Sequence, residues 1–341
     1  MTETQRDFHL YIPVYSIFLL IYCTACFIEP SFFTWNNNVN LFTRITPLIL
    51  AGMAQTCVVL TGGIDLSVGA IIGLTNVVAA SLPFVDTPWN IILWVCIPPL
   101  VGLVVGLING LIITRGDFPP LIVTLATGAI WKGVTLFLMP IPGGEVSLAV
   151  AVTLTGKLWK SIPIPLAIFV IAVFLCHLTL TKTSFGRSIY AIGGNKAIAY
   201  ESGIPCTQIT IGVYAVSGVL CACAGMFLSA WMFSADPLVG EAYILNSIAV
   251  TVIAGTPLSG GKGGVLGIIG AAYIFLLISN ILNLLAISTF YQFVAKGIVL
   301  IIALAITSSG TVINTGKFLA NVFSTKSAQP GGRRYQHGKR A

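Results

Sequence analysis

Between residues 10 and 308 the chain is a succession of apolar runs separated by short polar or glycine-rich breaks. Each run is close to the roughly 20 residues that a helix needs to cross the hydrocarbon core of a bilayer. In lipid the backbone N–H and C=O groups find no water, and a single run satisfies them within itself only as a helix. Composition agrees with this constraint. Charged residues make up 8% of the 341 and apolar residues 56%, whereas an average soluble domain is about 25% charged. No soluble domain of this length has enough interior to hide so much apolar surface.

We therefore expect an all-α polytopic membrane protein of ten spans, at about 10–28, 44–61, 68–84, 91–113, 119–139, 162–180, 209–232, 242–256, 264–286 and 290–308. The first run is too long for a signal-peptide core and lacks a small-residue cleavage site, so it is kept as a span. Positive charge sets the orientation. With both termini cytoplasmic, the inner segments collect Arg6, Arg115, Lys182, Arg187, Lys196, Lys262, Lys317, Lys326, Arg333, Arg334, Lys339 and Arg340, and the outer ones only Arg44, Lys157 and Lys160. The net charge of +7 is then an orientation signal and gives no argument for nucleic-acid binding. The expected organisation is a cytoplasmic start at 1–9, one permease domain over 10–310 and a basic cytoplasmic tail at 311–341. That tail reads either as a disordered end or as a contact for anionic lipid headgroups.

Cys23, Cys26, Cys57, Cys96, Cys176, Cys206, Cys221 and Cys223 fall mostly inside runs, where cysteine behaves as a small hydrophobe. His9, His177 and His337 are far apart. No metal, acid–base or nucleophile constellation is legible, which argues against an enzyme.

The segment Thr61-Gly62-Gly63-Ile64-Asp65-Leu66-Ser67-Val68-Gly69 places a carboxylate and three glycines between two apolar runs. A charge at membrane depth is expensive and usually lines a cavity or finds a partner. Two readings stay open: a broken hairpin on a transport path, with Asp65 and Ser67 lining it, or a solvated loop at the interface. A weak internal repeat accompanies it. Gly62-Gly63, four residues and then Val68-Gly69-Ala70-Ile71-Ile72-Gly73 resembles Gly260-Gly261, four residues and then Leu266-Gly267-Ile268-Ile269-Gly270. Glycine-interrupted hairpins in both halves of a transporter point to the translocation site. Gly62, Gly63 and Gly69, with Gly260, Gly261, Gly263 and Gly264, are accordingly expected to be turns or hinges. The run Leu258-Ser259-Gly260-Gly261-Lys262-Gly263-Gly264 is no phosphate-binding loop, because Gly263 follows the lysine where Ser or Thr is needed. It reads as a tight cytoplasmic turn.

In the cytoplasmic segment 185–206, Gly193-Gly194-Asn195 offers a turn and an N-cap. Lys196–Ser202 can form about two helical turns, and Gly203, before Ile204, is a natural stop. A short helix packed through Ala197, Ala199 and Tyr200 would be a docking surface or a mere tie between spans. Lys132 and Lys296 lie within spans. Lys296 is close enough to an end to snorkel, whereas Lys132 is mid-span with Asp65 as a candidate partner. Gln55, Asn76 and Asn109 are either interhelical hydrogen-bond glue or path lining.

Three segments in series, Leu60–Gly69, Gly194–Ile204 and Val252–Gly267 (VIAGTPLSGGKGGVLG), resemble the membrane permeases of bacterial ATP-binding-cassette importers, over roughly residues 40–310. The nearest branch is the ribose-type group that takes up monosaccharides and autoinducer-2. The resemblance departs at Gly194-Asn195-Lys196, where a paired asparagine is common, and at Glu201, where a basic or apolar residue is usual. It implies a homo- or heterodimer in the inner membrane with no ATPase of its own and no cofactor on this chain. ATP and Mg would sit on a double-cassette ATPase partner, and a periplasmic sugar-binding protein would deliver the solute. By position, Asn195, Lys196, Ala197, Ala199, Ser202, Gly203 and Ile204 become the candidates for coupling to that ATPase. The competing class is an ion-coupled secondary transporter using Asp65 and Lys132.

Overall fold

The computed structural model describes residues 3–28, 30–82, 87–158, 162–288, 291, 292, 294, 295, 297, 298 and 301. Nearly all of this is helical: α1 (Glu3–Ile28), α2 (Trp35–Leu60), α3 (Val68–Ser81), α4 (Pro88–Arg115), α5 (Pro120–Leu138), α6 (Leu148–Thr155), α7 (Ile164–Lys182), α8 (Ser184–Gly194), α9 (Lys196–Glu201), α10 (Cys206–Met232), α11 (Glu241–Ile253) and α12 (Leu266–Leu284). A 3-10 turn occupies Pro30–Phe33, and β1 (Lys157–Leu158) pairs antiparallel with β2 (Ile162–Pro163).

A helix lies on each expected span from the first to the ninth, but they are not alike. Six are long and apolar enough to cross a membrane: Trp35–Leu60, Trp89–Arg115, Pro120–Leu138, Ile164–Lys182, Cys206–Met232 and Leu266–Asn283. Tyr11–Phe27, Val68–Ser81 and Glu241–Ile253 are apolar but shorter. At 1.5 Å per residue α3 and α11 reach only about 20 Å, short of the roughly 30 Å hydrocarbon core. Each is preceded by a non-helical stretch, 61–67 or 233–240, in which Gly63, Asp65 and Ser67, and Ala235, Pro237 and Gly240, are buried. Irregular backbone at depth is tolerated only when protein or a cavity surrounds it. Most of the expected tenth span falls outside the described residues, as do Lys296 and the tail at 311–341.

Two differences from the sequence expectation have clear causes. Helix α2 starts at Trp35 instead of about residue 44, because Thr34 caps it by accepting from the Asn37 N–H at 3.4 Å and so draws the polar run 36–38 into the helix. No helix is expected before Asn195, yet residues 184–194 form α8, whose Thr183 cap accepts from the Gly186 N–H at 3.1 Å.

Helices α2 and α10 form the centre. Residues 45–60 of α2 are all buried, as befits a helix without a polar face. Helix α10 packs against α4, α3 and α2. Its contact with α4 follows glycines spaced four apart, Gly102, Gly106 and Gly110, which bring the two backbones together as small residues do in membrane helix pairs. A Cβ on Gly102 would stand 2.3 Å from the Gly218 carbonyl oxygen, and one on Gly106 2.2 Å from that of Tyr214.

Candidate functional site

The 61–67 stretch is built around Asp65, which lies between α2 and α3 and is 1% exposed. One of its carboxylate oxygens accepts from the Ser67 N–H at 2.9 Å and the Ser67 hydroxyl at 2.6 Å, and the other from the Ser217 hydroxyl of α10 at 3.1 Å. In the orientation that satisfies its neighbours, the Gln55 amide of α2 donates to the Asp65 carbonyl at 2.9 Å and accepts from its N–H at 3.3 Å. Asn109 of α4 donates to the Ser67 hydroxyl at 2.8 Å, and the Thr124 hydroxyl of α5 accepts from the Leu66 N–H at 3.0 Å. A buried carboxylate is costly unless donors surround it.

Asp65 is thus neither solvated nor in contact with Lys132. The break in the chain is anchored to α2 and α10 through Asp65, to α4 through Ser67 and to α5 through Leu66. Its depth follows from Ser217, which at 1.5 Å per residue is about 16 Å from the Cys206 end of α10 and about 22 Å from the Met232 end. Asn76 serves a second tie, donating to the Gly225 carbonyl at 3.3 Å and accepting from the Asp236 N–H at 2.9 Å. Gln55, Asn76 and Asn109 therefore all bond between segments.

Lys132 of α5 donates to Glu241, the first residue of α11, and the two side chains are 46% and 53% exposed. The proposed Asp65–Lys132 pair is replaced by this one. Glu241 escaped the sequence reading because it sits one residue before the expected eighth span.

At one end of the bundle the three sequence motifs meet. The Gly261 N–H donates to the Leu60 carbonyl at 3.0 Å, and the Tyr190 hydroxyl of α8 donates to the Gly263 carbonyl at 2.8 Å. A Cβ on Gly193 would lie 1.8 Å from the Leu60 carbonyl oxygen. Among the expected turn glycines, Gly62, Gly260, Gly261 and Gly263 adopt positive φ of 83°, 78°, 72° and 110°, a region glycine enters without penalty. Gly69 instead makes a close approach to Gly240, and Gly63 and Gly264 are buried at negative φ.

Helix α9 projects from this end. Asn195 caps it by accepting from the Ala197 and Ile198 N–H groups at 3.0 and 3.1 Å. Ser202 and Gly203, the latter at φ 79°, close it. Ala199 is buried against Ile192 and Cys206, with Ile204 packed beside them. Ala197 and Tyr200, expected to pack inward, do not. One helical turn has a single inner position here, so Ala197 is exposed, as are Ile198 at 60% and Tyr200 at 74%. Lys196 borders a cavity of about 220 Å³ lined also by Thr61, Gly63, Asp117, Phe118 and Tyr214. An apolar ridge thus stands beside a recess.

Residues 37–304 match the family model described as branched-chain amino acid transport system / permease component. The chain is 38% identical over 302 residues to the ribose import permease protein RbsC of Bacillus subtilis (strain 168), covering 85% of this chain and 90% of that protein. It is 33% identical over 300 residues to the D-allose transport system permease protein AlsC of Escherichia coli (strain K12), covering 85% and 90%. It is 32% identical over 315 residues to the galactose/methyl galactoside import permease protein MglC of the same strain, covering 86% and 93%. No solved structure matches it.

Proposed function

The chain belongs to the branched-chain amino acid transport system / permease component family, and on that premise we propose that it is the inner-membrane permease subunit of an ATP-binding-cassette importer for a monosaccharide or similar small polyol. The supporting observation is the similarity, over more than four fifths of the chain, to permeases named for ribose, allose and galactose. The family description names branched-chain amino acids, which makes an amino-acid cargo the second reading; the sugar-named relatives favour the first. This chain carries no ATPase, so hydrolysis belongs to a partner on the cytoplasmic side, and a periplasmic binding protein delivers the solute. In this reading two permease copies, or this chain and a sibling, enclose the passage.

The end carrying α8 and α9 faces the cytoplasm, which the positive-inside bias supports. The ATPase grips the Ile198–Tyr200 ridge. Its movement passes through Tyr190–Gly263 and Gly261–Leu60 to the ends of α2 and α12, and through α9 and Cys206 to α10. The hydrogen bonds around Asp65 make α2, α4, α5 and α10 move as a unit, which suits rigid-body alternating access. The test is uptake of labelled ribose, allose, galactose and leucine in cells lacking their own carriers, expressing this chain with its cognate ATPase and binding protein. A sugar is expected to enter and leucine is not. Leucine uptake alone would overturn the polyol assignment.

A further inference from the structure

The Lys132–Glu241 pair has no role in holding the site together, yet its position is costly. Gly128 of α5 packs on Ser67, where a Cβ would stand 3.4 Å from the Ser67 Cα, and Lys132 is one turn farther along. Glu241 follows Gly240, whose carbonyl oxygen would lie 2.5 Å from a Cβ on Gly69. Both charges therefore sit within about one helical turn of the Asp65 level, in the middle third of α10's length. About half of each side chain remains uncovered by its own chain. Leu125, seven residues before Lys132, and Leu245, four after Glu241, share their helix faces and are 59% and 64% exposed. A Cβ on the neighbouring Gly133 would meet nothing within 4 Å.

Charges at membrane depth face a bundle interior or water, and do not remain half-exposed to hydrocarbon. Hydrocarbon is therefore excluded on the open side of this pair, and a water-filled passage between this chain and a second permease copy satisfies both charges. Its chemistry also fits one class of solute. An ammonium offers three donors and a carboxylate two acceptor oxygens, while each hydroxyl of a sugar both donates and accepts. The pair is neutral as a whole, so it lends hydrogen bonds to a passing neutral molecule without trapping it. We propose that Lys132 and Glu241 line a water-filled passage and form a subsite that hydrogen-bonds the hydroxyls of a neutral polyol midway through the bundle. This deepens the importer reading above and rests on it.

Two measurements on the assembled importer test the subsite. Gly133→Cys is exposed in membranes to a water-soluble, impermeant thiol reagent, scored above the background of the native cysteines, of which Cys23 and Cys96 are exposed. Labelling is expected, and saturating sugar with ATP is expected to slow it. Reaction only with a lipophilic maleimide, or with neither reagent, overturns the proposal. In Glu241→Gln and Lys132→Met the maximal uptake rate is expected to fall by about tenfold, the scale of one lost charge-assisted hydrogen bond, while ATP hydrolysis stimulated by the binding protein persists. Undiminished uptake in both variants overturns it. Should either variant fail to reach the membrane, the Gly133→Cys labelling alone decides. An unsubstituted complex whose ATPase never responds to the binding protein would refute the importer reading instead, and leave the labelling result standing as a statement about this face.

Discussion

Replacing Ile198 or Tyr200 with Asp is expected to reduce sugar uptake by more than about tenfold, as loss of an interface anchor worth roughly 2 kcal/mol would, with an unchanged amount of protein in the membrane. The two halves of this expectation have separate causes. Both side chains are exposed, at 60% and 74%, and substitutions at such positions usually change stability by no more than about 0.5 kcal/mol. Helix α9 is held from beneath by Ala199 and at its start by Asn195, neither of which is altered. What the substitution removes is an apolar ridge available to a partner. Uptake of labelled sugar, quantitative immunoblots of membranes and co-purification of the ATPase check it. Normal uptake and normal co-purification in both variants would dismiss α9 as the docking element. Ala199→Glu is a poorer probe, because it buries a carboxylate under the helix and disrupts α9 itself. Gly203→Asp adds strain at φ 79° to any effect on docking.

Gly106→Val is expected to do the opposite, removing the folded protein from the membrane while leaving every candidate contact surface untouched. A Cβ there would lie 2.2 Å from the Tyr214 carbonyl oxygen and 2.9 Å from its carbon. Backbone cannot rotate away as a side chain can, so α4 and α10 must separate along their whole seam. Overpacking a core costs about 1–3 kcal/mol and sometimes more, and this contact belongs at the upper end of that range. Thermal unfolding in detergent and membrane abundance measure the loss. Gly194→Ala is the control, because a Cβ at Gly194 meets nothing within 4 Å. Equal stability of the two variants would refute the seam.

Helix positions were legible because hydropathy reports burial in lipid directly, and the Asn195 cap and Gly203 stop because local hydrogen bonding and positive φ depend on few neighbours. The Gly102, Gly106 and Gly110 spacing was equally visible and went unread, since small residues announce a helix pair without naming the partner. Asp65 shows the limit from the other side. One carboxylate in an apolar chain signals an exceptional site, but its partner Ser217 is 152 residues away, and only the packing of α10 brings them together. The Lys132–Glu241 contact is missed for the same reason, over 109 residues. The shortness of α3 and α11 reflects the backbone of 61–67 and 233–240, where glycine and proline mark a break but give no depth.

The central claim is that this chain is a gate moved by a separate motor, and reconstitution tests it most directly. Purified protein is placed in liposomes with its ATPase and binding protein, and labelled sugar is followed with and without ATP on the ATPase side. Accumulation that requires ATP and both partners is expected, with none from the chain alone under a proton or sodium gradient. Concentrative uptake by the chain alone would contradict it.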